Sequence, residues 1–454
     1  MAKQLFGTDG IRGIPGTPPL DDATLYATGR ALGASLRQHH DTPRPDASRP
    51  RVLLGMDTRE SGPHITAVLA AGLAEAGATT AFAGVITTPG VACLVRQEDF
   101  RAGVVISASH NPYHDNGVKL FSHAGMKFPD AFEEELEGEI LRLCGAAAPA
   151  NPPRLVADET LDADYLAFLR GCVLPGAKLA GLRVVLDCAH GAAFRLGPEL
   201  FRSLDAEVVA MNVTPNGRNI NAGCGSLHLE GLQQRVVAER AALGIAFDGD
   251  ADRALFVSTA GRVVNGDGVL LAAARYLKAQ GRLKGSRVVG TSMTNLGLER
   301  ALAPEGIALV RTDVGDRYVL EEMLRSGSVL GGEQSGHVIF LEDSPAGDGL
   351  LTAVKLASLV ALQGPLETLV AGLKDYPQTI VNVKVRTKPR LESLPEVARA
   401  LDEARKALGA NGRIILRYSG TEPLARVMVE AEHEADVKRY SELVAAALRA
   451  AIGA

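Results

Sequence analysis

A cluster of three aspartates is the part of this sequence best suited to chemistry. Asp248, Asp250 and Asp252 alternate directly after the apolar run 243–247, which predicts a buried strand. Side chains two residues apart on an extended segment project to the same side, so repulsion would raise their pKa values unless a cation neutralised them. An all-oxygen ligand set favours Mg²⁺. The alternative is a solvated acidic turn that binds no metal.

The cluster does not fit a calcium-binding loop of the EF-hand type. Such a loop needs glycine at its sixth position and glutamate at its twelfth, where this chain has Arg253 and Thr259. An arginine beside a metal-binding carboxylate cluster favours an anionic ligand, and phosphate is a common partner of both Mg²⁺ and a guanidinium group. Arg253 is therefore a candidate for binding a phosphate.

A second loop, 107–112, follows another apolar strand and contains Ser109 beside His110. No Gly-x-Ser-x-Gly turn surrounds Ser109, so a hydrolase triad is unsupported. A phosphoryl group on Ser109 could instead complete the coordination of a metal held by the aspartates. Phosphoryl transfer depends on charge neutralisation and in-line positioning, to which Lys119 and Arg253 could contribute. Taken alone, Lys119 could equally be a solvated surface lysine.

The segment 417–423 has the composition of an anion-binding turn. It combines a guanidinium group with hydroxyls and a glycine whose amide can approach a ligand, and a second arginine follows closely. Such a site fits a phosphate that is bound but not transferred. The alternative is a capped turn. The candidate residues are Arg417, Ser419, Gly420, Thr421 and Arg426.

A third polar loop and the amino terminus add further candidates. Glu333, Ser335 and His337 could hydrogen-bond sugar hydroxyls or an amine. His337 could also transfer a proton, because the reference pKa of histidine lies near neutrality, although a structural histidine is the alternative. Arg12, in a turn framed by glycines, is a weaker candidate for binding an anion.

These loops are expected at the ends of strands in three similar α/β units. Each unit has an apolar strand, a helix-like stretch, a second apolar segment and a third strand, as in βαβ units. The third strands run into the loops that contain Ser109, Asp248 and Glu333. Because open α/β sheets bind ligands beyond the carboxyl ends of their strands, the repeat predicts one shared site. Chance similarity among α/β segments is the alternative. The predicted first strands are 51–57, 183–187 and 287–291, and the predicted third strands are 102–107, 243–247 and 327–331.

The last part of the chain changes character and predicts a smaller α+β domain. Strand-like segments at 378–386, 413–416 and 426–430 lack a helical crossover between the last two, which favours an antiparallel sheet. Helices are predicted at 395–408 and 435–450. The predicted domains are 1–150, 151–257, 258–372 and 373–454.

Composition limits the classes of partner. The 454 residues exceed what one hydrophobic core usually supports, and no apolar stretch is long enough to span a membrane. A net charge of −5 leaves no general basic field to hold a nucleic acid. The first residues lack the apolar core of a secretory signal, and the five cysteines are scattered, which predicts a cytoplasmic protein with free thiols. The sequence leaves the oligomeric state open, a homodimer included.

Taken together and in this order, the loops resemble those of the α-D-phosphohexomutase superfamily. The resemblance runs from Gly7 to Glu430 and implies an α/β fold: three similar α/β domains with mixed sheets plus a smaller C-terminal α+β domain, around a central cleft. It also implies a phosphoserine at Ser109 whose phosphate, with the three aspartates, binds Mg²⁺. Contacts of Glu333 and Ser335 with sugar hydroxyls are implied too, as are proton transfer by Lys119 and His337 and phosphate binding by residues 417–421.

Three segments within the superfamily, 6–13, 314–319 and 332–337, resemble the members that interconvert glucosamine 6-phosphate and glucosamine 1-phosphate. The resemblance implies a small sugar phosphate as substrate and a hexose 1,6-bisphosphate as priming activator. A mutase for mannose or glucose phosphates is the alternative within the superfamily. A metal-dependent sugar phosphatase and a sugar-phosphate sensor without catalysis are alternatives from other classes.

Overall fold

The computed structural model describes residues 4–7, 9–38, 49–145, 147–419 and 422–454. The chain divides into two compact units. One comprises Met1–Met293 with Val310–Ala371, and the other comprises Thr294–Leu309 with Gly372–Ala454. The predicted α/β class is confirmed, because three mixed sheets precede a smaller antiparallel one.

The first region contains a six-stranded mixed sheet in the order β1-β2-β6-β5-β3-β4. Strand β3 is parallel to both β4 and β5, whereas β6 returns antiparallel to β5. Leu54, Val104 and Val118 lie in its buried core against the helices. The strands are β1 Phe6–Gly7, β2 Gly10–Gly13, β3 Arg51–Met56, β4 Thr79–Val85, β5 Ala102–Ile106 and β6 Asn116–Ser122; the helices are α1 Asp22–Gln38, α2 Gly62–Glu75, α3 Thr88–Gln97 and α4 Asp130–Leu143.

The second region repeats the central part of this topology. Its sheet has the order β11-β10-β9-β7-β8, with β7 parallel to β8 and β9, and with β10 returning antiparallel to β9. Its last strand lies beyond the predicted domain limit at residue 257. The elements are α5 Thr160–Gly171, β7 Arg183–Asp187, α6 Ala193–Ser203, β8 Glu207–Met211, α7 Glu230–Glu239, β9 Leu243–Phe247, β10 Ala254–Val257 and β11 Val263–Val264.

The third region has the same strand order in shorter form, β13-β12-β14-β15. Strand β14 is parallel to β12, and β15 returns antiparallel. Asn265 begins α8 because its side chain accepts hydrogen bonds from the amides of Asp267 and Gly268. The elements are α8 Gly266–Ala279, β12 Arg287–Thr291, α9 Leu296–Leu302, β13 Ala308–Thr312, α10 Asp316–Ser326, β14 Leu330–Gly332, β15 Val338–Phe340, α11 Gly349–Gln363 and α12 Leu366–Leu369.

The predicted third strand at 327–331 is corrected to β14, Leu330–Gly332. Gly327 instead ends α10 in the left-handed conformation, with φ of +71°, which glycine adopts without steric cost. The strand therefore begins three residues later than predicted, and its end still leads directly into Glu333.

The C-terminal unit is built on an antiparallel sheet, as the sequence predicts. Strand β18 lies between β16 and β17, and Val383, Val427 and Val444 belong to its buried core. Pro395 stands in the first turn of α13, where its missing amide proton costs nothing. Helix α9 belongs to this unit, and the Leu296 amide donates to Glu430 at 2.8 Å. The elements are β16 Gln378–Lys384, α13 Pro395–Leu408, β17 Gly412–Tyr418, β18 Leu424–Ala431 and α14 Glu434–Ile452.

In all three α/β regions the same position of the sheet leads into a candidate loop. Strands β5, β9 and β14 lie parallel to β3, β7 and β12, respectively, which are the predicted first strands. Each of the three is followed by an antiparallel strand. Ser109 follows β5, Asp248 follows β9 and Glu333 follows β14. The predicted repeat is confirmed by this shared strand order.

Candidate active site

Ser109 lies in a tight, buried turn beyond the end of β5. Its φ is +52°, an uncommon value for a residue other than glycine, and only 1% of the residue is exposed. Its amide donates to the Ser107 hydroxyl at 2.9 Å, and its own hydroxyl donates to Asp248 Oδ2 at 2.6 Å. The loops after β5 and β9, which are far apart in the sequence, therefore meet at this hydrogen bond.

A buried arginine, which was not predicted from the sequence, fixes the backbone of this turn. Arg59 is 1% exposed, and its guanidinium group donates to the carbonyls of Ser109 at 2.9 Å and Asn111 at 2.8 Å. It also donates to the carbonyls of Pro112 and Asp115. One guanidinium group thus fixes four backbone carbonyls of the serine loop. The only signal in the sequence is its place two residues after Asp57, which ends the first predicted strand.

Asp57 compensates the buried charge of Arg59. Its Oδ2 accepts from Arg59 Nε at 2.9 Å and from the Ser107 hydroxyl at 2.6 Å. Burial raises the pKa of the Asp57 carboxyl, although Arg59 and Ser107 act in the opposite direction. The pair places a rigid, satisfied polar network beneath Ser109.

Replacing Arg59 by methionine is expected to lower the free energy of unfolding by about 3 kcal/mol, because Asp57 would be left as an unpaired buried charge. Four carbonyls would also lose their donor. Urea unfolding measures the change. The exposed pair of Arg218 with Glu60 offers the control, since Arg218→Met should barely move the unfolding midpoint. Equal midpoints for the two variants would contradict this account.

Close approach of the two loops depends on Gly249. A Cβ atom at this position would lie 2.5 Å from the Ser109 carbonyl oxygen, which real Cβ atoms essentially never do. Ala251, two residues on, has φ of +55°, so the loop turns sharply between the aspartates. The glycine therefore allows the aspartate loop to reach Ser109.

The three aspartates converge as predicted. Oxygen atoms of Asp248, Asp250 and Asp252 lie within 4.8 Å of one another, and all three residues are buried. In the part of the chain that the structure describes, Asp250 Oδ1 and Asp252 Oδ1 have no hydrogen-bond partner. Burial and repulsion from its two neighbours raise the pKa of Asp248 well above its usual value. Crowded, partly unsatisfied carboxylate oxygens of this kind fit a hard divalent cation such as Mg²⁺.

Lys119 on β6 lies against this cluster rather than on the surface. Its ammonium group is 2.8 Å from Asp250 Oδ2, 3.5 Å from Asp252 and 3.1 Å from Asp9. Burial would lower the pKa of Lys119, but the three carboxylates raise it well above its usual value. Lys119 in turn holds the pKa of Asp250 below its usual value against the opposing effect of burial. The surface-lysine alternative is wrong.

Two further arginines bring positive charge to the Ser109 turn. The guanidinium group of Arg12 donates to Asp9 and to the Ala108 carbonyl, the latter at 3.5 Å. Arg253 donates its amide to Asp248 Oδ1 at 3.2 Å, and its guanidinium group lies 3.8 Å from Asp252. In this environment, burial and the two arginines lower the pKa of His110, whose Nδ1 is 3.3 Å from the Ser109 hydroxyl.

The loop after β14 is closed on itself and presents unsatisfied polar atoms. The Glu333 amide donates to the His337 carbonyl at 2.8 Å, and Glu333 Oε1 accepts from the Gly315 amide at 3.2 Å. Among the described residues, Ser335 Oγ and His337 Nε2 are buried without a hydrogen-bond partner. Nδ1 of His337 lies 3.9 Å from Asp252. The structure thus brings His337 to the aspartate cluster.

The candidates in the C-terminal unit lie around the turn between β17 and β18. The Ser419 hydroxyl accepts from the Glu422 amide at 3.3 Å, and its carbonyl accepts from Lys388 Nζ at 2.6 Å. Arg426 donates to Glu422 at 2.9 Å and lies opposite Arg417 in the register of the two strands. Gly420 and Thr421 lie outside the described residues. Ser419 and Glu422 are joined by this amide-to-hydroxyl hydrogen bond, and Arg417 and Arg426 lie on the two adjoining strands.

Family models of four consecutive domains cover most of the chain. They are described as phosphoglucomutase/phosphomannomutase α/β/α domain I at residues 3–143, domain II at 163–261, domain III at 265–376 and the C-terminal domain at 380–447. The chain belongs to this phosphohexomutase family. Within the family it groups with the phosphoglucosamine mutases.

Relatives of this phosphohexomutase match over nearly the whole length of both chains. A phosphoglucosamine mutase of Solibacter usitatus is 55% identical over 100% of both chains. One from Koribacter versatilis is 48% identical over 99% of this chain and 98% of its own. A crystal structure of a phosphoglucomutase/phosphomannomutase family protein from Burkholderia thailandensis, 24% identical, superimposes with a TM-score of 0.78 over 98% of this chain and 97% of that one.

Membership of the family fits a Mg²⁺-dependent phosphohexomutase, and the aspartate triad supplies the matching carboxylates. It also supports a small molecule as substrate. No helix within the described ranges is apolar and long enough to cross a membrane. The five cysteines are free thiols, as predicted.

Proposed function

We propose that this phosphohexomutase interconverts glucosamine 6-phosphate and glucosamine 1-phosphate through a phosphorylated Ser109 and a bisphosphorylated sugar. The observation that carries the proposal is the 2.6 Å hydrogen bond between the Ser109 hydroxyl and Asp248, which unites a buried nucleophile with the carboxylate triad. The relatives that match over the full length bear the name phosphoglucosamine mutase. The product would feed the synthesis of UDP-N-acetylglucosamine.

In the first half-reaction, the phosphoryl group moves from Ser109 to the free hydroxyl of the sugar phosphate. The bond between phosphorus and Ser109 Oγ breaks as a bond to the sugar oxygen forms, the sugar hydroxyl gives up its proton to the enzyme, and Ser109 Oγ takes up a proton from the enzyme. The bisphosphate then turns round. In the second half-reaction Ser109 Oγ takes the phosphoryl group from the other end, so the enzyme returns to its phosphorylated state.

Lys119 and His337 are proposed to neutralise charge and to transfer protons in both half-reactions. The raised pKa of Lys119 keeps its ammonium group charged, which suits a group that neutralises the transferring phosphoryl oxygens. The unpartnered Nε2 of His337 offers a second position that can hold a proton. Arg12 and Arg253 add positive charge around Ser109.

The oxygens of Asp248, Asp250, Asp252 and a phosphorylated Ser109 are proposed to hold Mg²⁺. The bound ion would supply electrostatic stabilisation of the phosphoryl group in transfer. A hexose 1,6-bisphosphate is the proposed source of the first phosphoryl group on Ser109, because the cycle must start from the phosphorylated enzyme.

Sugar and phosphate recognition is assigned to the remaining candidates. Glu333 and the unpartnered hydroxyl of Ser335 are proposed to bind sugar hydroxyls or the amine. In the C-terminal unit, an anion site for the phosphate that is not transferred is proposed. It comprises Arg417, Ser419, Gly420, Thr421 and Arg426.

Phosphorus NMR of the enzyme with Mg²⁺ and a trace of glucose 1,6-bisphosphate tests the assignment. We expect glucosamine 6-phosphate to be converted faster than mannose 6-phosphate or glucose 6-phosphate, by about tenfold or more, because polar groups placed for one substrate discriminate against its analogues. Faster conversion of mannose or glucose phosphate would assign the enzyme to another branch. Inorganic phosphate as the sole product would indicate a phosphatase instead.

A further inference from the structure

Six ionisable side chains, in which basic and acidic residues alternate, form a closed ring beside Ser109, here called the charged ring. All six belong to the first compact unit, and they come from all three α/β regions. Salt-bridge contacts of 4 Å or less join each member to the next. In order around the ring they are Lys119, Asp9, Lys127, Asp316, His337 and Asp252.

One half of the charged ring belongs to the proposed catalytic machinery. Lys119 lies 3.5 Å from Asp252, and Asp252 lies 3.9 Å from Nδ1 of His337. These side chains would contact the phosphoryl group or the ion that stabilises it. Their positions relative to Ser109 therefore decide how well charge and protons are placed.

The other half of the charged ring comprises Asp9, Lys127 and Asp316. Lys127 binds Asp9 at 2.6 Å on one side and both oxygens of Asp316 at 2.7 and 3.0 Å on the other. Asp9 then reaches Lys119 at 3.1 Å, and Asp316 lies 3.9 Å from Nε2 of His337. Lys127 thus connects the supports of both proposed proton-transfer groups.

We propose that Lys127 and Asp316 are positioning residues, which hold the Lys119 ammonium group through Asp9 and place a carboxylate 3.9 Å from Nε2 of the His337 imidazole. The proposal rests on the function proposed above. It adds two residues that touch neither Ser109 nor the aspartate triad in the described contacts.

Both residues stand on rigid supports. The backbone of Lys127 pairs with Phe121 of β6 in an antiparallel bridge, and Asp316 occupies the first turn of α10, where a carboxylate is favoured by the helix dipole. Gly347 allows the imidazole to lie close to the backbone, since a Cβ there would be 2.2 Å from His337 Nε2. Asp316 therefore faces an imidazole that has little room to move. A small displacement of the Asp316 carboxylate is expected to change the orientation of the imidazole.

Removing Lys127 would leave Asp9 and Asp316 without the cation between them. Burial lowers the pKa of Lys127, but Asp316 and Asp9 raise it above its usual value, so the lysine is charged at neutral pH. Loss of its charge would free both carboxylates to rotate, and Lys119 and His337 would each lose a fixed neighbour. Misplacement of reacting groups by about 1 Å can slow an enzyme about 10²-fold.

The test compares kcat and KM for glucosamine 1-phosphate in Lys127→Met and Asp316→Asn. We expect kcat to fall about 10- to 100-fold while KM changes less than about threefold, since the substrate contacts are kept. Lys127→Arg, which preserves the charge, should retain most of the activity. An effect confined to KM, or an unchanged kcat in both variants, would overturn the proposal.

Arg317→Met is the matched control for general loosening. Arg317 links the same regions, because it donates to the Phe128 carbonyl at 2.7 Å and to Glu133 at 3.2 Å, but it is not part of the charged ring. Its loss should lower the unfolding temperature and leave kcat within about threefold of the wild type. A loss of kcat equal to that of Asp316→Asn would show that turnover depends on the connection between the regions and not on the charged ring. This outcome would overturn the positioning role.

The charge-swapped double variant Lys127→Asp with Asp316→Lys makes the same distinction from another direction. It restores an ion pair but places a carboxylate against Asp9 and an ammonium group against His337. If alternation around the ring is required, the swap does not recover kcat. Recovery by the swap would reduce the role of the pair to holding two regions together and would overturn the positioning role.

A crystal structure of Asp316→Asn separates this proposal from the proposed function. We expect the His337 ring to rotate or to occupy two conformers. An unchanged ring would refute the positioning role even if the wild type is a mutase. Absence of turnover of any hexose phosphate by the wild type would refute the proposed function whatever the ring does.

Discussion

Replacing Ser109 by alanine is expected to reduce turnover of glucosamine 1-phosphate by at least about 10⁴-fold, because Oγ is the atom proposed to accept and donate the phosphoryl group. The substituted side chain also loses its hydrogen bond to Asp248. No other described hydroxyl donates to the aspartate triad except that of Thr88, which binds Asp250. Steady-state kinetics with a coupled assay measure the loss.

Two measurements make this prediction specific. Intact-protein mass spectrometry after incubation with glucose 1,6-bisphosphate should find one added phosphoryl group on the wild type and none on Ser109→Ala. Calorimetric binding of glucosamine 6-phosphate should persist within about tenfold, since the polar groups assigned to recognition are untouched. Ser203→Ala is the control, because its hydroxyl only donates to the Leu200 carbonyl within its own helix. Residual turnover near the wild-type rate would exclude the covalent route.

The position of Ser109 also explains why a strained turn is kept there. Its positive φ costs free energy that a glycine would avoid, but glycine carries no nucleophile. The buried network of Arg59 and Asp57 fixes the loop backbone and offsets this cost. Strain, support and nucleophile therefore occur together in one loop.

Much of the fold could be predicted from the sequence because strands and loops alternate so regularly. The apolar runs before Ser109, Asp248 and Glu333 are short, and each ends in a polar loop. The structure places these runs in equivalent strands of three sheets with the same central order. A repeat in the order of elements thus predicts a repeat in topology, and with it the convergence of two loops on one site.

Residues that act through long-range contacts could not be found in the same way. Arg59 and Lys127 belong to no motif of residue type and spacing, and Asp316, although it lies in the segment 314–319, has no role that the segment predicts. Their roles depend on partners fifty or more residues away, such as the Ser109 carbonyl for Arg59 and the Asp316 carboxylate for Lys127. Charge pairing over such separations is set by tertiary structure, which periodicity does not encode.

The limits of strands were likewise less predictable than their existence. Strand β14 begins late because Gly327 ends the preceding helix in a left-handed turn. Strand β11 extends the second sheet beyond residue 257 because Val263 and Val264 pair with β10 across a tight turn. Such endings depend on a few backbone angles that an apolar pattern does not specify.

Asp250→Asn is expected to lower kcat by at least about 10³-fold and to abolish most of the stabilisation that Mg²⁺ gives the wild type. In the wild type, a bound ion would relieve repulsion among three buried carboxylates and would satisfy the free oxygens of Asp250 and Asp252. At a hundredfold excess over Kd, binding to the native state alone stabilises it by about 2.7 kcal/mol. Thermal unfolding with and without Mg²⁺ measures this gain.

The expected loss of affinity for the ion depends on charge as well as on the number of ligands. Asparagine keeps the size of the side chain but removes the negative charge that both the ion and Lys119 use, so the affinity for the ion falls even if the loop keeps its shape. Asp164→Asn is the charge-matched control, because Asp164 is exposed on α5. Electron paramagnetic resonance with Mn²⁺ counts bound ions independently of turnover. Equal Mn²⁺ occupancy and equal Mg²⁺ stabilisation in Asp250→Asn and Asp164→Asn would mean that the carboxylates converge for a reason other than binding a metal.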